Sequence, residues 1–233
     1  GIRIETSETA GDLKYNGSDV FDGTIINNIS LLNFTSPSNK FGYPYASFTF
    51  KIVDSRGGIS TSSYTMNIEV RDEVNPTAIA QNVIVQLDAT GNGSTTAALV
   101  DNGSNDASGI ASLSLNKTDF TCADLGDNTV ILTITDDNGN SATCEAIVTV
   151  ENTVVPTVVC QDITISLDDT GVATIVAADI DNGSTVACGA PILSADITEF
   201  NCENLGVNTV TLTVTDDQGN TASCEAIVTV ESN

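Results

Sequence analysis

Oxygen donors recur at fixed intervals along this chain. One set comprises Asp72, Glu73 and Asn75 in the run RDEVNP, Asp101, Asn102 and Asp106 in the loop DNGSND, and Asp136 and Asp137 in the turn DDNGN. Eighty residues later come Glu151 and Asn152, then Asp179, Asp181 and Asn182, then Asp216 and Asp217. Carboxylates and side-chain amides in such numbers suit calcium, which accepts about six to eight oxygen ligands without strict geometry. The fold would have to gather them, because no contiguous D-x-[DN]-x-[DN]-G loop occurs. So many carboxylates within a Debye length of about 8 Å repel one another unless a cation or solvent separates them. Turn chemistry is the competing explanation, since tight turns also prefer Asp, Asn and Gly.

Composition narrows the partners. The 233 residues carry 31 Asp and Glu against seven Lys and Arg, a formal net charge of -24. Such a surface repels phosphate backbones and anionic headgroups, which argues against nucleic acid and favours divalent cations. No run of eighteen apolar residues occurs, so membrane insertion by a helix is not expected. Gly1 opens in mid-pattern without a basic and apolar leader, and the expectation is a segment of something larger. Catalysis finds little support. The chain has no His, and Asp169-Thr170-Gly171, which spells an aspartic-protease loop, is matched one repeat earlier by Ala89-Thr90-Gly91, so the second carboxylate of a dyad is missing.

The six cysteines share the period. Cys122 and Cys144 recur as Cys202 and Cys224, whereas Cys160 and Cys188 face Ala80 and Ser108. Because the last two are missing together, the simplest pairing is Cys122 with Cys144, Cys202 with Cys224, and Cys160 with Cys188. Reduced core thiols are the alternative. Disulfides place the chain outside a reducing cytosol.

The elements that must position these groups are strands. TVILTIT from Thr129 puts Val130, Leu132 and Ile134 on one face, and beyond the DDNGN turn Cys144, Ala146, Val148 and Val150 do the same. TAIAQNVIVQL, TTAALV and GIASLSL read likewise, giving about seven strands per 80 residues with few aromatics. The expected fold is all-β, tandem immunoglobulin-like β-sandwich modules in an extended array, at 1–75, 76–155 and 156–233. The first boundary coincides with a composition shift: six of the seven basic residues precede Pro76, as do all the Phe and Tyr except Phe120 and Phe200. If strand direction alternates from Pro76, the linker, the DNGSND loop and the DDNGN turn all lie at one end of a module.

The final strand pair NTVTLTVTDDQGNTASCEAIVTV, with PTVVCQDITISLD and DNGSTVACGA, resembles the hyalin-repeat (HYR) family of extracellular immunoglobulin-like modules over residues 76–233. Residues 1–75, with GDLKYNGSDVF and KFGYPYASFTFKIVDSRGG, resemble the cadherin-like repeats found beside such modules in very large surface adhesins, including gliding-motility proteins, of the Bacteroidota. The resemblance implies a stalk or adhesive segment of a secreted cell-surface adhesin and supplies no catalytic residues; with the cysteines and acidic loops, the expectation is a disulfide-bonded stalk stiffened by Ca2+, with flanking modules of the same chain as partners. Surface polysaccharide or another cell-surface protein is the implied outside ligand. A carbohydrate- or protein-binding adhesin module, for which Tyr43 and Tyr45 are the clustered aromatic candidates, and an accessory domain of a secreted enzyme are the alternatives.

Overall fold

Alternating β-branched residues dominate the sequence, and the computed structural model, which describes residues 1–232, is accordingly built almost wholly of strands. The first seven are β1 (Ile2–Thr6), β2 (Asp12–Tyr15), β3 (Ser18–Asp19), β4 (Ile25–Ile26), β5 (Leu32–Thr35), β6 (Gly42–Ile52) and β7 (Tyr64–Val70). They form two sheets, ordered β4-β1-β6-β7 and β3-β2-β5, around Ile4, Leu13, Val20, Ile26 and Phe48. The β2–β3 hairpin turns at Asn16 and Gly17, both at positive φ (51° and 81°), which suits a two-residue turn matching strand twist.

The two 80-residue copies then repeat one plan. The first holds β8 (Val83–Gln86), β9 (Asn92–Ser94), the helical turn α1 (Ala97–Val100), β10 (Ile110–Leu115), β11 (Asp119–Thr121), β12 (Gly126–Asp136) and β13 (Ser141–Glu151). The second holds β14 (Ile163–Ser166), β15 (Val172–Thr174), β16 (Ile192–Ala195), β17 (Glu199–Asn201), β18 (Gly206–Thr215) and β19 (Thr221–Glu231). Each has a four-stranded and a two-stranded sheet: β10-β12-β13-β8 with β11-β9, and β14-β19-β18-β16 with β15-β17. The opening strand runs parallel to the closing one, with Val83 opposite Val148 and Ile163 opposite Val228. Val130, Leu132 and Ile134 are fully buried, as are Val210, Leu212 and Val214, and Phe120 and Phe200 are core residues. This is the tandem immunoglobulin-like sandwich plan expected from the pattern.

TTAALV departs from expectation, so each copy has six strands and not seven. Ala97, Ala98 and Leu99 lack the β-branching that holds a chain extended, and Val100 anchors the turn in the core. At the same place in the second copy a 3-10 turn spans Ala177–Asp179, and the Asp179 carboxylate accepts from the Val176 amide.

By proximity the described chain forms two compact units. One contains Gly1–Ala78, Gly103–Leu113 and Thr133–Thr143; the other contains Ile79–Asn102, Ser114–Leu132 and the chain from Cys144 onward. Among the described residues no helix is long and apolar enough to cross a membrane.

The cysteine pairing inferred from the repeat is incorrect. The bonds join Cys122 to Cys188 and Cys160 to Cys224, with Cα atoms 5.5 and 6.0 Å apart, and Cys144 and Cys202 are free. Neither Cys122–Cys144, Cys202–Cys224 nor Cys160–Cys188 forms, because the two cysteines that the first copy lacks belong to two different bonds. Cys160, bridged to Asp181, is the partner of Cys224 within one copy; Ala80, bridged to Asp101, occupies the equivalent place and leaves Cys144 unpaired. Burial pushes the Cys144 thiol up, and the Asp101 carboxylate adds to the shift. Cys188 instead takes its bond from the preceding copy. Ala80→Cys should therefore close a bond to Cys144 like that of Cys160 with Cys224, stabilising by at most roughly 4 kcal/mol on the loop-entropy estimate. Non-reducing mapping and melts with and without reductant check this: a thiol at position 80 that stays free would show the two copies to differ in register.

Candidate metal centre

The turn joining β12 to β13 builds the site. Asp136, only 1% exposed, ends β12, and its Oδ1 accepts from the amides of Asn138 (2.9 Å) and Asn140 (2.8 Å). Its Oδ2 accepts from Asn140 Nδ2 at 2.8 Å, and the same amide donates to the backbone carbonyl of Asp72 at 3.0 Å. Gly139 at φ 92° supplies the left-handed turn residue that closes the loop. A hairpin turn thus grips the linker that precedes its own repeat.

Two further carboxylates converge there. Asp72 Oδ1 accepts from the Val74 amide at 3.0 Å, and Asp106 Oδ1 from the amide and hydroxyl of Ser108 at 2.7 and 2.8 Å. Ligand oxygens of Asp72, Asp106 and Asp136 all lie within 4.8 Å of one another, with Asp72 and Asp106 half-buried. An ionised carboxylate offers about four lone-pair sites, so each retains acceptor capacity beyond these bonds. Like charges that close repel one another. The adjacent base does not neutralise them, since Arg71 is engaged by Glu69 through two hydrogen bonds of 2.7 and 3.1 Å. Three hard oxygen donors plus backbone carbonyls fit calcium better than a softer metal.

The other oxygen donors singled out in the sequence are placed differently. Glu73 is exposed and lines a neighbouring cavity of about 530 Å³, and Asn75 is exposed. Asp101 lies beside Cys144, and Asn102 donates its amide to Ile79. Asp137 packs against Gly109, where an added Cβ would meet its Oδ2 at 2.6 Å. Glu151 accepts from Gln86 Nε2 at 2.6 Å. In the second copy Asp179 caps its helical turn, Asp181 accepts from the Gly183 and Ser184 amides, the amide of Asn182 donates to Val159, and Asp217 packs on Gly189. Most of these are turn formers.

The second junction keeps the framework and changes the charges. Asp216 Oδ1 accepts from the Gln218 and Asn220 amides and Oδ2 from Asn220 Nδ2, while Asn220 Nδ2 reaches the Asn152 carbonyl at 3.0 Å. Position for position this is the Asp136–Asn140–Asp72 network. Asn152 replaces Asp72 and Val186 replaces Asp106. Asn152, 6% exposed, donates Nδ2 to Asp216 Oδ2 at 2.9 Å and to Gln218 Oε1 at 3.1 Å. An amide hydrogen bond takes the place where the first junction opposes two carboxylates. Sequence reading grouped both junctions as equivalent; the signal missed was the pair of substitutions at the aligned positions 152 and 186.

No protein-family model and no curated protein matches the chain. Among solved structures it is similar to mouse cadherin-23 EC22-24 (13% identity, TM-score 0.35, covering 100% of this chain and 86% of that one). It is likewise similar to protocadherin gamma B7 domains 1-4 (12%, TM-score 0.30, 100% and 67%) and human mucin-like protocadherin EC1-2 (11%, TM-score 0.37, 68% and 98%). Identities and scores this low carry no functional weight, and the chemistry has to be read from the residues themselves.

Burial pushes the Asp136 and Asp216 carboxyls up, but the Asn140 and Asn220 side chains and the turn amides outweigh it and hold both below the ordinary carboxylate range. A carboxyl depressed in the folded state contributes stability above its unfolded value of about 3.9, and that contribution is lost as pH falls through the folded value. Melting temperature should hold from neutral pH to about 5 and fall below about 4, with Asp216→Asn flattening the acid limb. An acid limb unchanged in that variant would assign the pH dependence to other carboxylates.

Proposed function

We propose that the chain is a segment of an extracellular adhesion-type repeat protein in which the junction between its first two modules is closed by Ca2+ and the next by an amide hydrogen bond. The carrying observation is the pairing of one conserved hairpin network with three carboxylates at Asp72, Asp106 and Asp136, and with Asn152, Val186 and Asp216 one repeat later. The modules would be residues 1–75, of cadherin-like type, and 76–155 and 156–233, of HYR-like type. A stalk for adhesion or gliding motility, as in Bacteroidota surface proteins, accords with the repetition, and flanking modules would be its immediate partners. Two disulfides favour an oxidising, extracellular setting. The role proposed is non-enzymatic.

Calcium at about a hundred times its Kd should stabilise the first junction by about 2.7 kcal/mol, and EDTA should reverse this. The double variant Asp72→Asn/Asp106→Val, which copies the second junction, should melt above the apo wild type and ignore calcium. A wild-type melting curve blind to both calcium and EDTA would remove the metal from the proposal.

One observation favours sugar binding as a second reading. Tyr43 is 72% exposed and lines the 530 Å³ cavity with Asp72, Glu73, Asn138 and Asn140, a polar rim around one aromatic face. Glycan-array binding abolished by Tyr43→Ala and retained by Tyr64→Ala would support it, whereas an array silent for the wild type would dismiss it.

A further inference from the structure

The Cys122–Cys188 bond joins one 80-residue copy to the next, and its donor half occurs twice. Cys122 follows β11 at the head of a 3-10 turn, Cys122–Asp124, whose cap is Thr121. Cys202 follows β17 at the head of the equivalent turn, Cys202–Asn204, capped by Asn201. Each sulfur lies beside the glycine of a tight turn at positive φ, Gly91 (76°) or Gly171 (80°). An added Cβ at Gly91 would fall 2.5 Å from Cys122 Sγ and 2.7 Å from the Ala187 carbonyl, because the loop carrying Cys188 packs directly on that turn. At Gly171 it would meet only Cys202 Sγ, at 3.1 Å. Cys202 is exposed there and lines a depression of about 330 Å³ with Leu167, Asp168, Asp169, Gly171 and Ser232.

The receiving half obeys the matching rule. Position 188 carries Cys in the copy preceded by a donor, and its counterpart in the other copy is Ser108, which follows residues 1–75, a segment without any cysteine. We infer that Cys202 is the donor of an onward disulfide to a further repeat of this kind bearing a cysteine at the 188 position. The inference rests on the reading of the chain as part of a repeat array. Two thiols lose their protons, one S–S bond forms, and the two electrons pass to a small-molecule disulfide such as oxidised glutathione, which leaves as two thiols.

Appending a second copy of residues 154–233 after Asn233 preserves the 80-residue period and tests this. After oxidative folding with glutathione, non-reducing peptide mapping should find Cys202 bonded to the added counterpart of Cys188, and Cys202 should resist alkylation in EDTA and in calcium alike. The EDTA arm separates this outcome from the calcium reading. A folded, extended chain in which Cys202 remains open to iodoacetamide overturns the inference. Should the extension misfold, the chain of 233 residues is challenged with a thiopyridyl-activated peptide of residues 183–192. Exchange at Cys202 should be about tenfold faster than with a scrambled peptide of the same composition, and equal rates would likewise overturn it.

Discussion

A single buried carboxylate organises the long hairpin of each 80-residue copy. Asp136 ends β12 and Asp216 directly follows β18, at 1 and 2% exposure, a costly place for charge unless every oxygen is hydrogen-bonded. Each meets that demand by folding its own hairpin turn around itself, and the asparagine that completes the turn reaches out to the preceding linker. Turn, strand end and linker become one hydrogen-bonded body. Removing the carboxylate would unfasten all three together.

That body leaves one face open to chemistry. At the second junction the gap is filled by Asn152, which donates to the carboxylate and to Gln218. At the first it holds two more carboxylates, an arrangement whose mutual repulsion favours a bound positive charge. On the proposed reading an amide bridge works at any ion concentration, whereas a carboxylate trio works only where its cation is abundant, so that Asp72 against Asn152 and Asp106 against Val186 would set a conditional fastening against a constitutive one.

Much of the sandwich was legible because strand alternation is local. Val130, Leu132 and Ile134 were assigned to the core from spacing alone, and all are fully buried. TTAALV misled because three of its residues favour no strand face, and context bent it into a helical turn. The acidic loops were legible as a group but not individually. Asp181, Asp179 and Glu151 look the same in sequence as Asp72 or Asp106, and only the loop geometry shows that they serve turns, caps and cross-strand bonds. The disulfides were misread for a different reason: the repeat was treated as self-contained, whereas Cys122 bonds across the period to Cys188. Periodicity identifies equivalent residues and is silent on whether their bonds stay within a period.

The covalent and electrostatic fastenings use separate parts of a copy, since the Cys122–Cys188 link lies by the Gly91 turn and the carboxylates by the Gly139 turn. The central claim is that one shared framework is closed by a cation at the first seam and by an amide at the second. Anomalous scattering from crystals grown in calcium tests it most directly. A single peak among Asp72, Asp106 and Asp136, with none beside Asn152 and Asp216, is the predicted map; peaks at both seams, or at neither, would contradict it.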